Sequence, residues 1–283
     1  MEVLTMQFIL FIHRIWKKFS KDEMTVYAAQ AAFFTILAAI PFLMLLISAI
    51  QMVPGLSKKD LEITMMGIVP EMFHEILFAV TEDLFTRSPE TIVSITAITS
   101  VWSASRSMFG IEKGLNRILG DHVPRRYLIS RMISMGYTFG FVILCVMMLI
   151  FWVFGTTIGG FLSRHFPYIS KIIMMVVNFR TLITFFFMTV FFVGIYTYLP
   201  RRKLTLKSQL PGAIFSSLGW SIFSYGFSIY FENFSNFSYI YGSLTAIILL
   251  MLWMYFCVCI LFIGAEINCI LLSMQDQSQS VSQ

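Results

Sequence analysis

Residues 243–268 read SLTAIILLMLWMYFCVCILFIGAEIN, and this stretch decides the fold class. It belongs to an uncharged run from 233 to 265. A helix needs roughly 20 mostly apolar residues to cross a bilayer, whereas a membrane β-strand needs only about 10 alternating ones. The run is therefore too long for a strand and predicts a membrane-spanning helix.

Five more uncharged runs precede this one, so the sequence predicts an all-α, polytopic membrane helix bundle with six transmembrane helices. The predicted spans are about 28–51, 91–110, 133–160, 181–199, 209–231 and 243–268. Residues 1–27 are predicted to form a cytoplasmic interfacial amphipathic helix. Residues 28–272 form the membrane domain, with a long outer loop at 52–90 that is expected to hold further amphipathic helices, and 273–283 form a short polar tail.

Charge content and charge placement give the orientation. Only 12% of the 283 residues are charged and 58% are hydrophobic, with a mean hydropathy of +0.80. A soluble domain carries about 25% charged residues. If the N-terminus lies inside, 14 of the 20 Lys and Arg residues fall in inner segments, as the positive-inside rule requires. Both termini are therefore expected in the cytoplasm, and the basic balance is not that of a nucleic-acid surface.

The N-terminal segment alternates apolar and basic side chains at helical spacing. Residues 6–21 read MQFILFIHRIWKKFSK, which suits a helix lying in the inner interface against anionic headgroups. A plain positive flank is the alternative interpretation.

Two spans carry hydroxyl side chains at the spacing i, i+4, i+7, i+11, which places them on one helix face. These two hydroxyl stripes are Thr96, Ser100, Ser103 and Ser107 in the second span, and Ser217, Ser221, Ser224 and Ser228 in the fifth. Small hydroxyl residues allow close helix packing and hydrogen bonds to backbone carbonyls. The stripes could instead line a polar pathway, and the sequence leaves both interpretations open.

Charged residues inside the membrane need partners. Glu266 is the one carboxylate in the last apolar stretch and is followed by Asn268, while Arg106 ends the second uncharged run. Arg106 is the first predicted partner of Glu266 and Arg117 is the second. Such a pair would be either a structural clamp or part of a substrate or proton site. Pro211 is predicted in the first turn of the fifth helix, where its missing N–H is tolerated.

Catalytic, cofactor and metal sites are not predicted. The four cysteines all lie in apolar stretches and the four histidines are scattered singly, unlike a disulfide or zinc framework. There is no phosphate-binding GxxxxGK[ST] motif. We therefore expect no enzyme.

Several blocks resemble the YihY/BrkB family of bacterial inner-membrane proteins, once given a ribonuclease label. They are YAAQAAFFT at 27–35 with Ile40-Pro41, VWSASR at 101–106, YLPRRK at 198–203, PGA at 211–213, YGSL at 241–244, LWMY at 252–255 and GAEIN at 264–268. Ala38-Ala39 departs from an expected Ser-Leu pair. The resemblance covers roughly 20–272 and implies a six-helix protein of the bacterial plasma (inner) membrane without a settled biochemical activity.

The leading functional expectation is export or translocation of an amphipathic or lipid-like substrate. The alternative is a non-transporting envelope scaffold that organises lipids or partner proteins. Expected partners are membrane lipids, with no nucleic acid. The sequence also leaves open a homo-oligomer packed through Gly155 and Gly159 or through the small residues between Ala28 and Ala38.

Overall fold

A computed structural model describes residues 2–51, 74, 78, 82, 89–121, 129–130, 132–140, 143, 180–233 and 243–281. The predicted outer loop at 52–90, most of the predicted third span and the Gly155–Gly159 pair lie outside the described residues, apart from the ranges just given. So do the side chains of Thr96 and Ser100.

All regular structure in the described residues is helical, which confirms the predicted all-α class. The helices are α1 (Glu2–Lys21), α2 (Met24–Gln51), α3 (Pro89–Ile118), α4 (Arg180–Tyr198), α5 (Leu206–Asn233) and α6 (Ser243–Val281). Residues 129–130, 132–140 and 143 are also helical. Within this part of the chain, two segments are long and apolar enough to cross a bilayer, Thr181–Tyr198 in α4 and Ile247–Gln275 in α6, and Met24–Ala39 is a shorter apolar segment.

The ends of α1 and α3 follow from local backbone geometry. Glu23 adopts φ +56° between α1 and α2, so the chain turns sharply there. Gly120 adopts φ +70° after α3, a conformation that favours glycine. Its N–H bonds the Arg117 carbonyl while the Asp121 N–H bonds the Asn116 carbonyl, which is the Schellman arrangement that satisfies terminal carbonyls.

Helices α2 and α3 pack closely and antiparallel through small residues. Ala28 and Ala31 are fully buried, and Gly110 faces Ala31 while Gly114 faces Tyr27 and Phe262. A Cβ on Gly114 would lie 2.4 Å from the ring of Phe262 in α6 and 3.3 Å from Tyr27 Cβ in α2, so glycine lets α3 approach both helices closely. Ala28 and Ala31 of α2 are therefore buried against other helices of the same chain.

The middle of α6, from about Cys257 to Ile270, forms the centre of the core. Its buried side chains meet α2, α3, α5 and α1. Phe262, Cys257, Leu261 and Ala265 supply much of this apolar contact. Glu266 and Asn268 continue the same helix, so two polar side chains are carried directly into the packed region.

Candidate functional site

The buried carboxylate of α6 is paired with a lysine from α1. Glu266 has no exposed side-chain area, and its Oε2 lies 2.7 Å from Lys18 Nζ. Its Oε1 has no hydrogen-bond partner among the described residues. A buried carboxylate requires a compensating charge, and here the N-terminal helix supplies it.

The prediction that Arg106 or Arg117 pairs with Glu266 is wrong. Arg106 is exposed and its guanidinium lies 5.3 Å from the centre of the Phe34 ring, while Arg117 Nε is 3.9 Å from Asp22 Oδ1. The reason is that Lys18 lies on the face of α1 that packs against the bundle, beside the buried Phe19. Lys18 therefore occupies the position next to the Glu266 carboxylate.

Lys18 also joins two other helices at this point. Its ammonium donates to the Ile118 carbonyl at 2.8 Å, at the end of α3, and to Cys269 Sγ at 3.2 Å. Burial by itself would lower the pKa of Lys18, but the hydrogen bond and charge of Glu266 raise it above its usual value. The lysine thus stays protonated at neutral pH and fastens α1 to α3 and α6.

Asn268 forms the second polar joint, between α5 and α6. Its Oδ1 accepts the Gly212 N–H at 2.7 Å, and its Nδ2 donates to the carbonyl and to the Oε1 of Gln209, each at 3.1 Å. Because α5 begins at Leu206, Pro211 lies inside the helix rather than in its first turn, which corrects the prediction. Proline interrupts helical hydrogen bonding, and the Asn268 amide bonds the backbone on both sides of it.

Asn268→Ala is expected to lower stability by about 1–3 kcal/mol, because buried polar groups of α5 lose their partners. The apparent melting temperature of purified protein measures this. Ser273→Ala is the matched control, since Ser273 is exposed on the same helix and its hydroxyl bonds only the nearby Ile270 carbonyl. Equal melting temperatures for both variants would contradict a structural role for Asn268.

Tyr196 and Ser216 complete this joint and were not predicted from the sequence. The Tyr196 hydroxyl donates to the Leu261 carbonyl and lies 2.7 Å from Ser216 Oγ. Gly264 lies directly beside them, and a Cβ there would be 2.1 Å from Ser216 Oγ. Tyr196 lies in α4 among apolar residues, four threonines and Tyr198, so nothing in the sequence distinguished its hydroxyl from the others.

The described hydroxyl stripes face different neighbours. Ser107 is buried against α2, where its Oγ bonds the Ala31 carbonyl and lies 2.6 Å from Thr35 Oγ1. Ser217 is buried against α4, where its Oγ bonds the Ala213 carbonyl and accepts from Thr189. At these two positions the hydroxyls serve helix packing.

The remaining described members of the stripes have varied surroundings. Ser103 is half-buried. Ser221 is exposed and bonds the Ser217 carbonyl at 2.8 Å, Ser224 accepts from Trp253 Nε1 at 3.2 Å, and Ser228 is exposed. The described side chains therefore do not form one shared polar channel.

A cysteine-accessibility experiment tests this packing. Cysteines at Ser107 or Ser217 in a cysteine-free background are expected to react about tenfold or more slowly with a membrane-impermeant thiol reagent than one at Lys203, because a buried thiol reacts only from opened states. Lys203 is exposed between α4 and α5. Labelling of the two serine positions at the Lys203 rate would show a water-filled interior instead.

A second buried carboxylate, that of Glu112 in α3, was not predicted from the sequence. Only 2% of it is exposed, and its Oε2 accepts hydrogen bonds from Ser130 and, at 3.4 Å, from Ser134. In the sequence Glu112 stands next to Lys113 near the end of the span, where it resembles an ordinary solvated residue. Its partners lie on a later helical segment, so spacing alone could not reveal them.

The cavity beside the joint between α5 and α6 has a small volume. A cavity of about 10 Å³ lies between α3, α4, α5 and α6, with Tyr196, Gln209 and Ala265 among its lining residues. That volume holds at most about one water molecule. It is far below the hundreds of cubic ångströms of a small-molecule site.

Comparison with known proteins shows which family this chain belongs to. The profile of the family described as "Virulence factor BrkB" matches residues 15–282, which is nearly the whole chain. The chain belongs to the BrkB family. The resemblance deduced from its sequence blocks is thereby confirmed.

Relatives of this BrkB family chain come from several bacteria. A protein of Bacillus subtilis (strain 168), YfkH, whose name describes it as ribonuclease-like, is 29% identical over 92% of this chain and 94% of the relative. A UPF0761 membrane protein of Photobacterium profundum is 27% identical over 93% and 81%, respectively. One of Xanthomonas oryzae is 24% identical over 89% of this chain and 58% of the relative. No solved structure matches the chain. The chain is thus a bacterial membrane protein.

Proposed function

We propose that this BrkB family protein crosses the bacterial plasma membrane six times, with both termini in the cytoplasm. The two long apolar segments in α4 and α6 and the antiparallel pairing of α2 with α3 support this topology. So does the concentration of basic residues in the inner segments. Single cysteines at exposed Lys203 and Lys17, labelled from either side of sealed membranes, test it, with both expected to react only from the cytoplasmic side.

The N-terminal helix α1 would lie in the inner membrane interface. Lys18 and Phe19 face the bundle, whereas another face of α1 is exposed and mostly apolar. The exposed apolar residues are Met6, Ile9, Leu10, Ile12 and Trp16. Exposed Arg14 and Lys17 border this face, as expected of a helix that contacts acyl chains and anionic headgroups together.

For activity, we infer that the protein moves an amphipathic or lipid-like substrate between the leaflets, along its lipid-facing surface. One observation carries this proposal. Arg106 exposes a guanidinium on a helix assigned to the membrane, while the interior at Ser107 and Ser217 is packed. A charged group on a lipid-facing surface gives a polar headgroup a place to bind during crossing, with the acyl chains left in the bilayer.

The second candidate is a scaffold that organises lipids or partner proteins without transport. The packed hydroxyls and the small cavity support this alternative, because a scaffold needs a stable bundle and no pathway. The exposed Arg106, which has no acidic partner among the described residues, supports transport over it, because a cation at the edge of the hydrocarbon core is costly for a static bundle.

Reconstituted vesicles separate the two candidates. Purified full-length protein is placed in liposomes with a trace of headgroup-labelled fluorescent phospholipid, and a membrane-impermeant quencher reports how fast inner-leaflet probe reaches the outer leaflet. Transport predicts a rate that rises with protein per vesicle. A rate equal to that of protein-free vesicles, and of vesicles with heat-denatured protein, would favour the scaffold.

Enzymatic activity is not part of this proposal. One relative is named as ribonuclease-like, whereas the sequence of this chain predicts no soluble domain and no nucleic-acid surface. That the protein acts without catalysis stays a prediction, as does the absence of nucleic-acid partners. A homo-oligomer also stays open.

A further inference from the structure

A mostly apolar surface with one cation runs along the outside of α2 and α3. We call it the Arg106 surface and define it by Phe33, Phe34, Ile98, Trp102 and Arg106. Ile98, Trp102 and Arg106 follow one another at four-residue spacing on α3, so they share one face. Ile98 is 71% exposed, Trp102 50% and Phe33 49%, and Arg106 is exposed as well.

The guanidinium is held in place by aromatic rings. It lies 5.3 Å from the centre of the Phe34 ring, and Phe34 in turn contacts Phe33 edge-to-face at 5.4 Å. A cation over an aromatic face is stabilised by the ring electrons. This contact orients Arg106 without itself supplying a negative charge.

The buried carboxylates of α3 and α6 have partners other than Arg106. Glu266 pairs with Lys18, and Glu112 accepts hydrogen bonds from Ser130 and Ser134. In the part of the chain that the structure describes, Arg106 has no acidic side chain as an ion-pair partner. The compensating anion must therefore come from outside these residues.

Arg106 lies near the inner edge of the hydrocarbon core, and this step rests on the proposed membrane topology. The second span is predicted to end at about residue 110, which is four residues, or about 6 Å at 1.5 Å per residue, beyond Arg106. A cation at this depth is costly without a compensating anion. The headgroup region of the bilayer begins at this edge, so a lipid phosphate can reach the guanidinium.

We propose that the Arg106 surface binds an anionic amphiphile, with the guanidinium holding a headgroup phosphate and Ile98, Trp102 and Phe33 contacting its acyl chain. A planar guanidinium donates two parallel hydrogen bonds to a phosphate, which suits this role better than an ammonium does. A net negative headgroup is preferred over a zwitterionic one because a choline or ethanolamine cation offsets the phosphate charge. This inference rests on the proposed transport function, for which an anionic amphiphile would be the substrate class.

Photocrosslinking tests the binding directly. Full-length protein is reconstituted in vesicles of phosphatidylcholine that contain a small fraction of phosphatidylglycerol with a photoactivatable acyl chain. We expect adducts on peptides that contain residues 33–34 and 98–106. Arg106→Gln should lower their yield about tenfold or more, because a hydrogen-bonded charge is lost, and Arg106→Lys should retain part of it.

The matched control is Lys113→Gln. Lys113 is also an exposed cation on α3, placed 4.5 Å from the centre of the Phe109 ring. It should leave the adduct yield at residues 98–106 unchanged, and photoactivatable phosphatidylcholine should label these peptides less in the wild type. Equal yields for wild type and Arg106→Gln, an equal loss in Lys113→Gln, or crosslinks to a second copy in place of lipid would each overturn the proposal.

Failure of this inference can be told apart from failure of the proposed transport. If lipid crosses between leaflets but Arg106→Gln crosslinks normally, transport stands and the Arg106 site is wrong. If Arg106-dependent adducts form but no lipid crosses, the site stands and the protein binds anionic lipid without moving it.

Discussion

Lys18→Met is expected to destabilise the protein by about 3–5 kcal/mol, because it leaves the Glu266 carboxylate buried without its countercharge. Glu266 has no exposed side-chain area and its Oε2 lies 2.7 Å from Lys18 Nζ. The apparent melting temperature, followed by loss of the monodisperse peak in detergent, should fall by roughly 10 °C or more. Release of α1 should also make it more sensitive to proteolysis.

Three companion variants make this result specific. Lys17→Met removes an exposed neighbouring cation and should change stability little. The double variant Lys18→Met with Glu266→Met should recover much of the loss, since replacing both members of a buried pair with apolar residues is often neutral or stabilising. Arg106→Met should leave stability near that of the wild type. A large loss in Arg106→Met with none in Lys18→Met would instead restore the Arg106–Glu266 pair that the sequence predicted.

Gly264→Leu is expected to have the largest effect on folding of any change at the crossing of α5 and α6. Even a Cβ at Gly264 would lie 2.1 Å from Ser216 Oγ, 2.6 Å from the Gly212 carbonyl oxygen and 2.7 Å from the Tyr196 hydroxyl. All three contacts involve groups fixed by buried hydrogen bonds or by the backbone, so the helices must separate. We expect overpacking of at least about 3 kcal/mol, seen as loss of folded protein in membranes.

Gly226→Leu is the matched control for this change. Gly226 lies on α5, and a Cβ there would meet nothing within 4 Å. It should accumulate and melt like the wild type, because leucine also favours helix over glycine. Normal accumulation of Gly264→Leu would show that the two helices cross less closely than the structure has them.

Long apolar runs made most of the fold predictable. The segments at 28–51, 181–199 and 209–231 each fall within or close to a helix of the structure, since an uncharged run of that length has few other stable forms in a membrane. Glu266 was also singled out as a carboxylate that needs a partner, with Asn268 named beside it, and the structure places both in the packed part of α6. Both residues stand out because they are polar and interrupt a long apolar run.

Partners were harder to predict than the residues that need them. Lys18 was counted with the basic flank of α1, because the sequence does not show which face of an amphipathic helix docks on the protein. Distance in sequence hid the pair as well, since Lys18 and Glu266 come together only when α1 folds against α6. Glu112 was missed for the same reason, as its serine partners belong to another helical segment.

The sequence placed the Arg106 side chain in the interior, whereas the structure places it on the surface. Arg106 was predicted to point toward Glu266, but it is exposed and lies over Phe34. Helical periodicity places Arg106 one residue from Ser107, about 100° around the helix. Ser105 and Ser107, on either side of Arg106, are both buried, so this spacing alone did not show that the Arg106 side chain is exposed.

The decisive measurement is the rate at which lipid crosses the bilayer of reconstituted vesicles, compared between wild type and Arg106→Gln. Labelled phosphatidylglycerol and phosphatidylcholine are followed separately, at equal amounts of protein whose folding is checked by its melting temperature. We expect the wild type to speed the crossing of phosphatidylglycerol more than that of phosphatidylcholine, and Arg106→Gln to abolish most of this preference while remaining folded. Wild-type and Arg106→Gln vesicles with the same rates for both lipids would contradict a lipid-facing pathway at Arg106.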